Sequence, residues 1–174
     1  MIDDGAGHFE ITGGVLSVER ENARVADRGH GAVASFVGVV REHAGGKSGV
    51  TGIFYEAYAE MAEAKMAQVG AEAIARFANE KKMKISIVHR VGDLAVGDAS
   101  VVIAVGSERR KEALAACSYA IDRLKEIVPI WKKEKFSDGA EWVGWGGDAP
   151  AFDAAAAPQS RAQSGSAMSD VKKT

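Results

Sequence analysis

Between Ala113 and Val128 the apolar residues Ala113, Cys117, Ala120, Ile121, Leu124 and Val128 recur at steps of three and four, and Pro129 then ends the pattern. That spacing predicts a helix with one apolar stripe. The proline forces Val128 out of the helical region and stops the helix there. A one-faced helix must bury its stripe against another layer, and the rest of the chain supplies it. Residues 84–90 (KISIVHR) and 99–107 (ASVVIAVGS) read as strands joined through Gly92-Asp93 and Gly97-Asp98 turn chemistry. Residues 31–41 (GAVASFVGVVR) read as a buried β-branched strand, and residues 50–58 as the strand returning from it through the loop AGGKSG. A short strand is expected over 8–12, a helix capped by Ser17 and ending before Gly29, a long Ala/Glu/Met/Lys helix over about 60–81, and closing strands over 130–136 and 141–145. The order predicts an α+β fold, helices layered on a mostly antiparallel sheet.

With 174 residues, 47% of them hydrophobic, the chain is long enough for one domain with a real core, placed at residues 1–148. Composition changes near Ala149. The remainder, 149–174, holds two of the three prolines and one aromatic among Ala, Ser and Gln, and reads as a disordered tail. The longest apolar stretch, 31–40, is half of the roughly 20 residues a spanning helix needs, so no membrane association is expected. The N-terminal MIDDGAGHFE carries acids where a secretory signal carries bases, which predicts a cytoplasmic protein. The single cysteine, Cys117, closes no internal disulfide and has no C-x-x-C partner. His8, His30, His43 and His89 show no H-E-x-x-H spacing, so neither a metal nor another cofactor is expected.

A net charge of −2 excludes the overall basic excess that drives nucleic-acid binding. Locally the balance differs: residues 109–135 hold eight Lys and Arg against four Asp and Glu, a surplus of +4. A solvated charged face accounts for most such runs. Three features favour a site. Arg109 and Arg110 fall at the start of the predicted helix, where the dipole disfavours cations but backbone N–H groups attract an anion. Lys125 borders the apolar stripe, where its ammonium is expected to be partly desolvated and chemically active. Lys132 follows the Pro129 break, so the helix-to-strand corner is expected to bring Lys125 and Lys132 into one pocket. AGGKSG ends like a phosphate-binding loop, but Arg41 stands where that motif needs glycine and a strand follows where it needs a helix. His89 reads as a hydrogen-bonded structural residue, and Cys117 as a buried inert thiol.

Five short motifs occur in order: Phe36-x-Gly38-x-x-Arg41, Tyr55-Glu56-x-Tyr58-x-x-Met61, His89-Arg90-Val91-Gly92-x-Leu94-x-x-Gly97-Asp98, Asp122-x-Leu124-Lys125, and Pro129-x-Trp131-Lys132-x-Glu134. Together they resemble the molybdopterin synthase catalytic (large) subunit family, over about residues 31–145. The resemblance implies an α/β hammerhead fold and a homodimer at the centre of a heterotetramer. At each end it implies a small ubiquitin-like sulfur-carrier subunit, whose C-terminal Gly-Gly thiocarboxylate donates sulfur to cyclic pyranopterin monophosphate. By motif position Lys125 and Lys132 match the family's essential lysines, and Val39, Val40, Arg41, Lys133 and Glu134 fall in its substrate-binding segments. The family has His-Arg where this chain has Arg109-Arg110, so the resemblance implies anion binding there. The competing expectation is a non-catalytic anion-binding or scaffolding module using the same basic patch.

Overall fold

A computed structural model describes residues 1–44, 47–78, 82–137 and 139–143. In chain order the elements are β1 (Ile2–Asp3), β2 (Gly7–Thr12), α1 (Val18–Val25), β3 (Ala32–Val39), β4 (His43–Ala44), β5 (Lys47–Ser48), β6 (Val50–Ala57), α2 (Ala59–Phe77), β7 (Met83–Arg90), β8 (Gly92–Ala95), β9 (Ala99–Ser107), α3 (Arg110–Ile127), β10 (Ile130–Phe136) and β11 (Gly139–Val143). The α+β expectation is met, with one refinement. The strands form two principal sheets, ordered β1-β2-β7-β9-β3 and β11-β10-β6-β8, plus the small β4-β5 pair. Every pairing is antiparallel except β2 with β7. The tail expected over 149–174 lies outside the described residues.

Local chemistry explains the helices. The Ser17 hydroxyl accepts from Arg20 N–H at 3.1 Å and so caps α1. The six stripe residues of α3 are all buried, and Val128 leaves the helix at φ −87°, ψ 118° ahead of Pro129. Strand β9 is covered on both faces. Val101, Ile103 and Val105 enter the main core under α2 and α3, while Val102, Ala104 and Gly106 alternate toward α1. On the α1 side the fully buried Glu21 carboxylate accepts from Ser86 Oγ at 2.7 Å and from Arg20 Nε at 2.8 Å, and pairs with Arg24 Nε at 3.1 Å. A buried charge is tolerable only when its lone pairs are satisfied in this way.

Two sequence expectations fail in placement, though not in secondary structure. Strand β3 is the edge of its sheet, with Val33 and Val39 exposed, where a buried strand was expected. A β-branched run marks a strand but does not say how many neighbours it has. Strand β6 also does not return alongside β3. β3 pairs with β9, and β6 runs between β10 and β8 in the other sheet. There Val50, Ile53 and Leu94 enclose a second, smaller core with Val40, flanked by Tyr55 and Phe136. The two cores meet where β3 gives way to Val40, and that junction positions the site.

Candidate functional site

Strand alternation sorts the basic residues. Lys132 stands opposite Tyr55 and Glu134 opposite Ile53 across the β10–β6 ladder, so Lys132 and Glu134 share the face that carries the small core. Lys132 Nζ pairs with Glu134 Oε1 at 2.9 Å. Glu134 is 5% exposed, which makes it a buried carboxylate that holds a half-exposed amine in place. Lys133 and Lys135 alternate to the opposite face, where Lys135 pairs with Asp93. The +4 surplus is therefore not one patch. Arg123 leaves it as well: its guanidinium binds Glu72 at 2.8 Å and Glu126 at 2.9 Å. That guanidinium, with Gln68 and Tyr119, holds the Glu72 carboxyl down at about 2.

Lys125 lies in the last turn of α3 and is exposed, where partial desolvation was expected. The stripe turns its Ile121 and Leu124 neighbours inward and leaves Lys125 on the solvent side, with no ion pair to any described residue. Counted along helix and strand, Lys125 and Lys132 are separated by at most about 18 Å of chain, folded back at Pro129. Arg109 and Arg110 sit exposed at the other end of the same helix, as its N-cap and first residue. Fifteen residue steps along the helix part Arg110 from Lys125, about 22 Å along the axis. Within one chain Arg110 and Lys125 thus stand at opposite ends of α3.

Arg41 is exposed and directly follows the junction between the cores. Val40, in contrast, presents no free group. Its side chain is 2% exposed in the small core, its N–H donates to Asp98 O at 2.9 Å, and its carbonyl accepts from Gly97 N–H at 2.8 Å. The Gly97 φ of +95° makes that approach possible. Asp98 is fixed in turn by Arg90 at 3.3 Å and by Ala95 N–H at 3.1 Å. Val40 is thus an anchor behind Arg41, and Val39 beside it is exposed.

Three residues that the sequence reading left without a site role line this junction. Tyr55 meets the His89 ring edge-on, centroids 5.1 Å apart, and the Ser100 hydroxyl donates to Gly38 O at 3.2 Å. The period-two alternation of Ile53, Tyr55 and Ala57 marks Tyr55 as inward-facing, but only the β6–β10 register shows that it lies against Lys132.

His89 is structural, as expected: it is 5% exposed and its Nδ1–H donates to Arg90 O at 2.8 Å. Burial pushes its imidazole down to about 4, whereas an unfolded histidine titrates near 6.5. Between these values the unfolded chain takes up a proton that the folded one refuses, so stability falls as pH drops through that window, by roughly 3 kcal/mol in all. Urea midpoints should decline from pH 7 to pH 4.5, and His89→Gln should flatten that decline. An unchanged pH dependence in the variant would count against the assignment. Cys117 is also as expected, a buried thiol pushed up to about 11 by desolvation.

Clefts of about 260 and 190 Å³ lie on the α1 side. Neither is lined by Lys125 or Lys132. No group of three or more His, Cys, Asp or Glu among the described residues is arranged to hold a metal, and no helix among them is long and apolar enough to cross a membrane.

Comparison with known proteins places this geometry. The family model described as MoaE protein matches residues 11–127. A molybdopterin synthase catalytic subunit from Bacillus subtilis (strain 168) is 46% identical over 136 residues, 78% of this chain and 84% of that protein. The crystal structure of molybdopterin synthase from Staphylococcus aureus superposes with a TM-score of 0.73 at 44% identity, covering 78% of this chain and 96% of that one. A complex of subunits 1 and 2 of molybdopterin-converting factor from Helicobacter pylori 26695 shares the fold at a TM-score of 0.60 and 21% identity, covering 76% of this chain and 88% of that one. The hammerhead-type fold expected from the motifs is thereby met, and the chain belongs to the MoaE family, the catalytic subunits of molybdopterin synthase.

Proposed function

We propose that this chain converts cyclic pyranopterin monophosphate to molybdopterin, taking sulfur from the C-terminal thiocarboxylate of a small ubiquitin-like carrier subunit. The thiocarboxylate sulfur attacks an oxygen-bearing carbon of the pterin side chain, the carbon–oxygen bond breaking and its oxygen leaving protonated or as phosphate oxygen while the carbon–sulfur bond forms. Water then cleaves the acyl–sulfur bond, which frees the carrier as a carboxylate and leaves the sulfur on the pterin. Two rounds furnish the two sulfurs of the dithiolene. Both reactants are anions, and a cationic site gathers them and stabilises the charge that develops between them. In this reading Lys125 positions the acyl group or moves protons, and Lys132, steadied by Glu134, stabilises developing negative charge. Arg41, Arg109 and Arg110 bind the substrate's phosphate and the carboxylate end of the carrier, with Val39 and Val40 forming the backbone behind Arg41, while Lys133, on the far face of β10, stands outside this set.

The observation that carries this reading is the pair of amines on either side of the Pro129 corner, one exposed in the last turn of α3 and one held at 2.9 Å by a buried carboxylate. The complex of two subunits known for the Helicobacter pylori relative supports a small partner. The 22 Å that part Arg110 from Lys125 support a homodimer in which the guanidinium pair of one protomer faces the lysines of the other. A site completed by neighbouring chains also accounts for an open lysine surface in the single chain.

The test is reconstitution. The protein is mixed with a thiocarboxylated carrier and the cyclic monophosphate, and the pterin product is analysed for sulfur. Two sulfurs per pterin is the expected result. Tight binding of the monophosphate without sulfur incorporation, given a carrier proven competent, would favour the non-catalytic module.

A further inference from the structure

We propose that the cleft at the end of α1 binds inorganic phosphate, a tetrahedral oxyanion that keeps an O–H at neutral pH. The cleft is built from the last turn of α1, the β1–β2 turn and the start of β7. It lies on the face of the five-stranded sheet away from α3, so the inference does not depend on the sulfur-transfer reading.

The cleft holds about 260 Å³, less than the roughly 300–1,000 Å³ that take a drug-sized molecule and enough for a small ion. Alternation along β2 decides what faces it. Phe9 enters the main core, so His8 turns to the α1 side of the sheet. There His8 is 4% exposed, and its buried Nδ1 has no hydrogen-bond partner among the described residues. Buried ring nitrogens are ordinarily satisfied, and an unmet one in a cleft wall is a place for a polar ligand. Nε2 meets Glu10 Oε2 at 3.2 Å. A carboxylate only accepts, so Nε2 carries a proton and Nδ1 is the acceptor of that tautomer. Nδ1 is also the nitrogen on the side of Asp3, which lines the cleft with His8, whereas Glu10 does not.

The Asp3 carboxylate supplies a second acceptor. Its Oδ1 accepts from Gly5 N–H at 3.2 Å, which leaves Oδ2 standing 3.6 Å from His8 Nδ1, a gap too wide for a hydrogen bond. Two cations line the same cleft: Arg24, whose Nε pairs with Glu21 at 3.1 Å, and Lys84, whose Nζ pairs with Asp27 at 3.2 Å. Neither partner exhausts its cation, since a guanidinium carries five N–H donors and an ammonium three. The two positive charges repel a metal ion from the His8–Asp3 pair and attract an anion. A fitting ligand must therefore be an anion that also donates, with an O–H for Nδ1 or Asp3 Oδ2 and bare oxygens for Arg24 and Lys84. Hydrogen phosphate meets both demands. Sulfate has no O–H, and a phosphate monoester loses its last one above about pH 6.

The test titrates the full chain with inorganic phosphate, sulfate and glycerol phosphate by calorimetry, at constant ionic strength and about pH 7.5, where the monoester has lost its O–H and inorganic phosphate has not. One phosphate per chain should bind, about 10-fold or more tighter than either other anion, the difference that one hydrogen bond to a charged group makes. The His8 Nδ1 resonance of the parent should move with phosphate and stay in place with sulfate, a readout that needs no variant. Asp3→Asn keeps the oxygen that Gly5 binds and sets an amide donor where Oδ2 stood, so phosphate should weaken about 10-fold and sulfate should tighten. Lys84→Met should weaken phosphate about 10-fold while sulfur transfer stays at the parent rate, and Arg110→Ala should leave the phosphate constant unchanged. The Asp3 and Lys84 side chains are 57% and 34% exposed, so both variants should keep the parent melting temperature. Absence of saturable binding overturns the proposal. Equal affinity for phosphate and sulfate does the same, as does binding lost in Arg110→Ala and kept in Lys84→Met. A chain that binds phosphate in this pattern and incorporates no sulfur refutes the functional reading alone.

Discussion

Lys125→Ala is expected to reduce sulfur incorporation by roughly 10²- to 10⁴-fold, the range seen when a group that moves a proton or stabilises transition-state charge is removed. The fold should barely notice. Lys125 is exposed, makes no ion pair with any described residue, and supports α3 only through the helix dipole, an effect of about 0.5 kcal/mol. Loss of activity can therefore be read as chemistry. Lys132→Ala would not be so clean, because it leaves Glu134 buried without its cation at 2.9 Å and costs stability as well as rate. Lys125→Arg separates the possible roles: guanidinium keeps the charge and cannot give up its proton, so retained activity points to charge and lost activity to proton transfer. A mixing experiment extends the test. If each site takes lysines from one protomer and guanidinium groups from the other, Lys125→Ala and Arg110→Ala proteins, each inactive alone, should regain activity after subunit exchange. One site in every mixed dimer is then intact, and random mixing gives about a quarter of the parent activity. Near-normal turnover by Lys125→Ala would refute the assignment. No recovery after demonstrated exchange would refute the shared site.

The elements of this fold are written in short-range patterns, and the site depends on long-range ones. The stripe from Ala113 to Val128 named both the buried face of α3 and its end, because helical period and a proline stop are local facts. Ser17 as a cap and the glycine turns at Gly92 and Gly97 were legible for the same reason. Pairing was not. Nothing within residues 31–58 says that β3 takes β9 as its partner while β6 joins β10 and β8, because both strands offer the same apolar alternation to any neighbour. The four-residue β8 was read as part of a turn, being too short to show a period. Charge counting along the chain grouped Lys132 with Lys133, Lys135 and Arg123; the pleat sends Lys133 and Lys135 to the far face, and Glu72, a distant residue on α2, captures Arg123. The lysines at the corner were recoverable from their motifs, whereas their cross-strand partner Tyr55 was visible only as one letter of a motif.

The same distinction between local pattern and long-range contact predicts the most damaging small substitution in the scaffold, at Gly106. Along β9 the residues facing α1 shrink from Val102 through Ala104 to Gly106, and the last turn of α1 descends into the space so made. A Cβ at Gly106 would lie 2.0 Å from Val25 O and 2.6 Å from His30 Nδ1. Neither neighbour can easily yield. Val25 O is helix backbone, His30 Nδ1–H donates to that carbonyl at 2.9 Å, and Val25 itself is 1% exposed. Gly106→Ala must therefore push the end of α1 off the sheet, stretch the His30 bond and loosen the Val25 contact. Overpacking of this kind costs about 1–3 kcal/mol, and the lost hydrogen bond adds about 1 kcal/mol. At roughly 2–4 °C per kcal/mol for a chain of this size, the melting temperature should fall by about 10 °C. Gly106→Val, with two more methyl groups against the same carbonyl, should fail to give soluble protein. Because α1 covers the face of β9 opposite α3, Gly106→Ala that is still folded at low temperature should transfer sulfur at the parent rate. An unshifted melting temperature would mean that α1 is not held as closely as these contacts require.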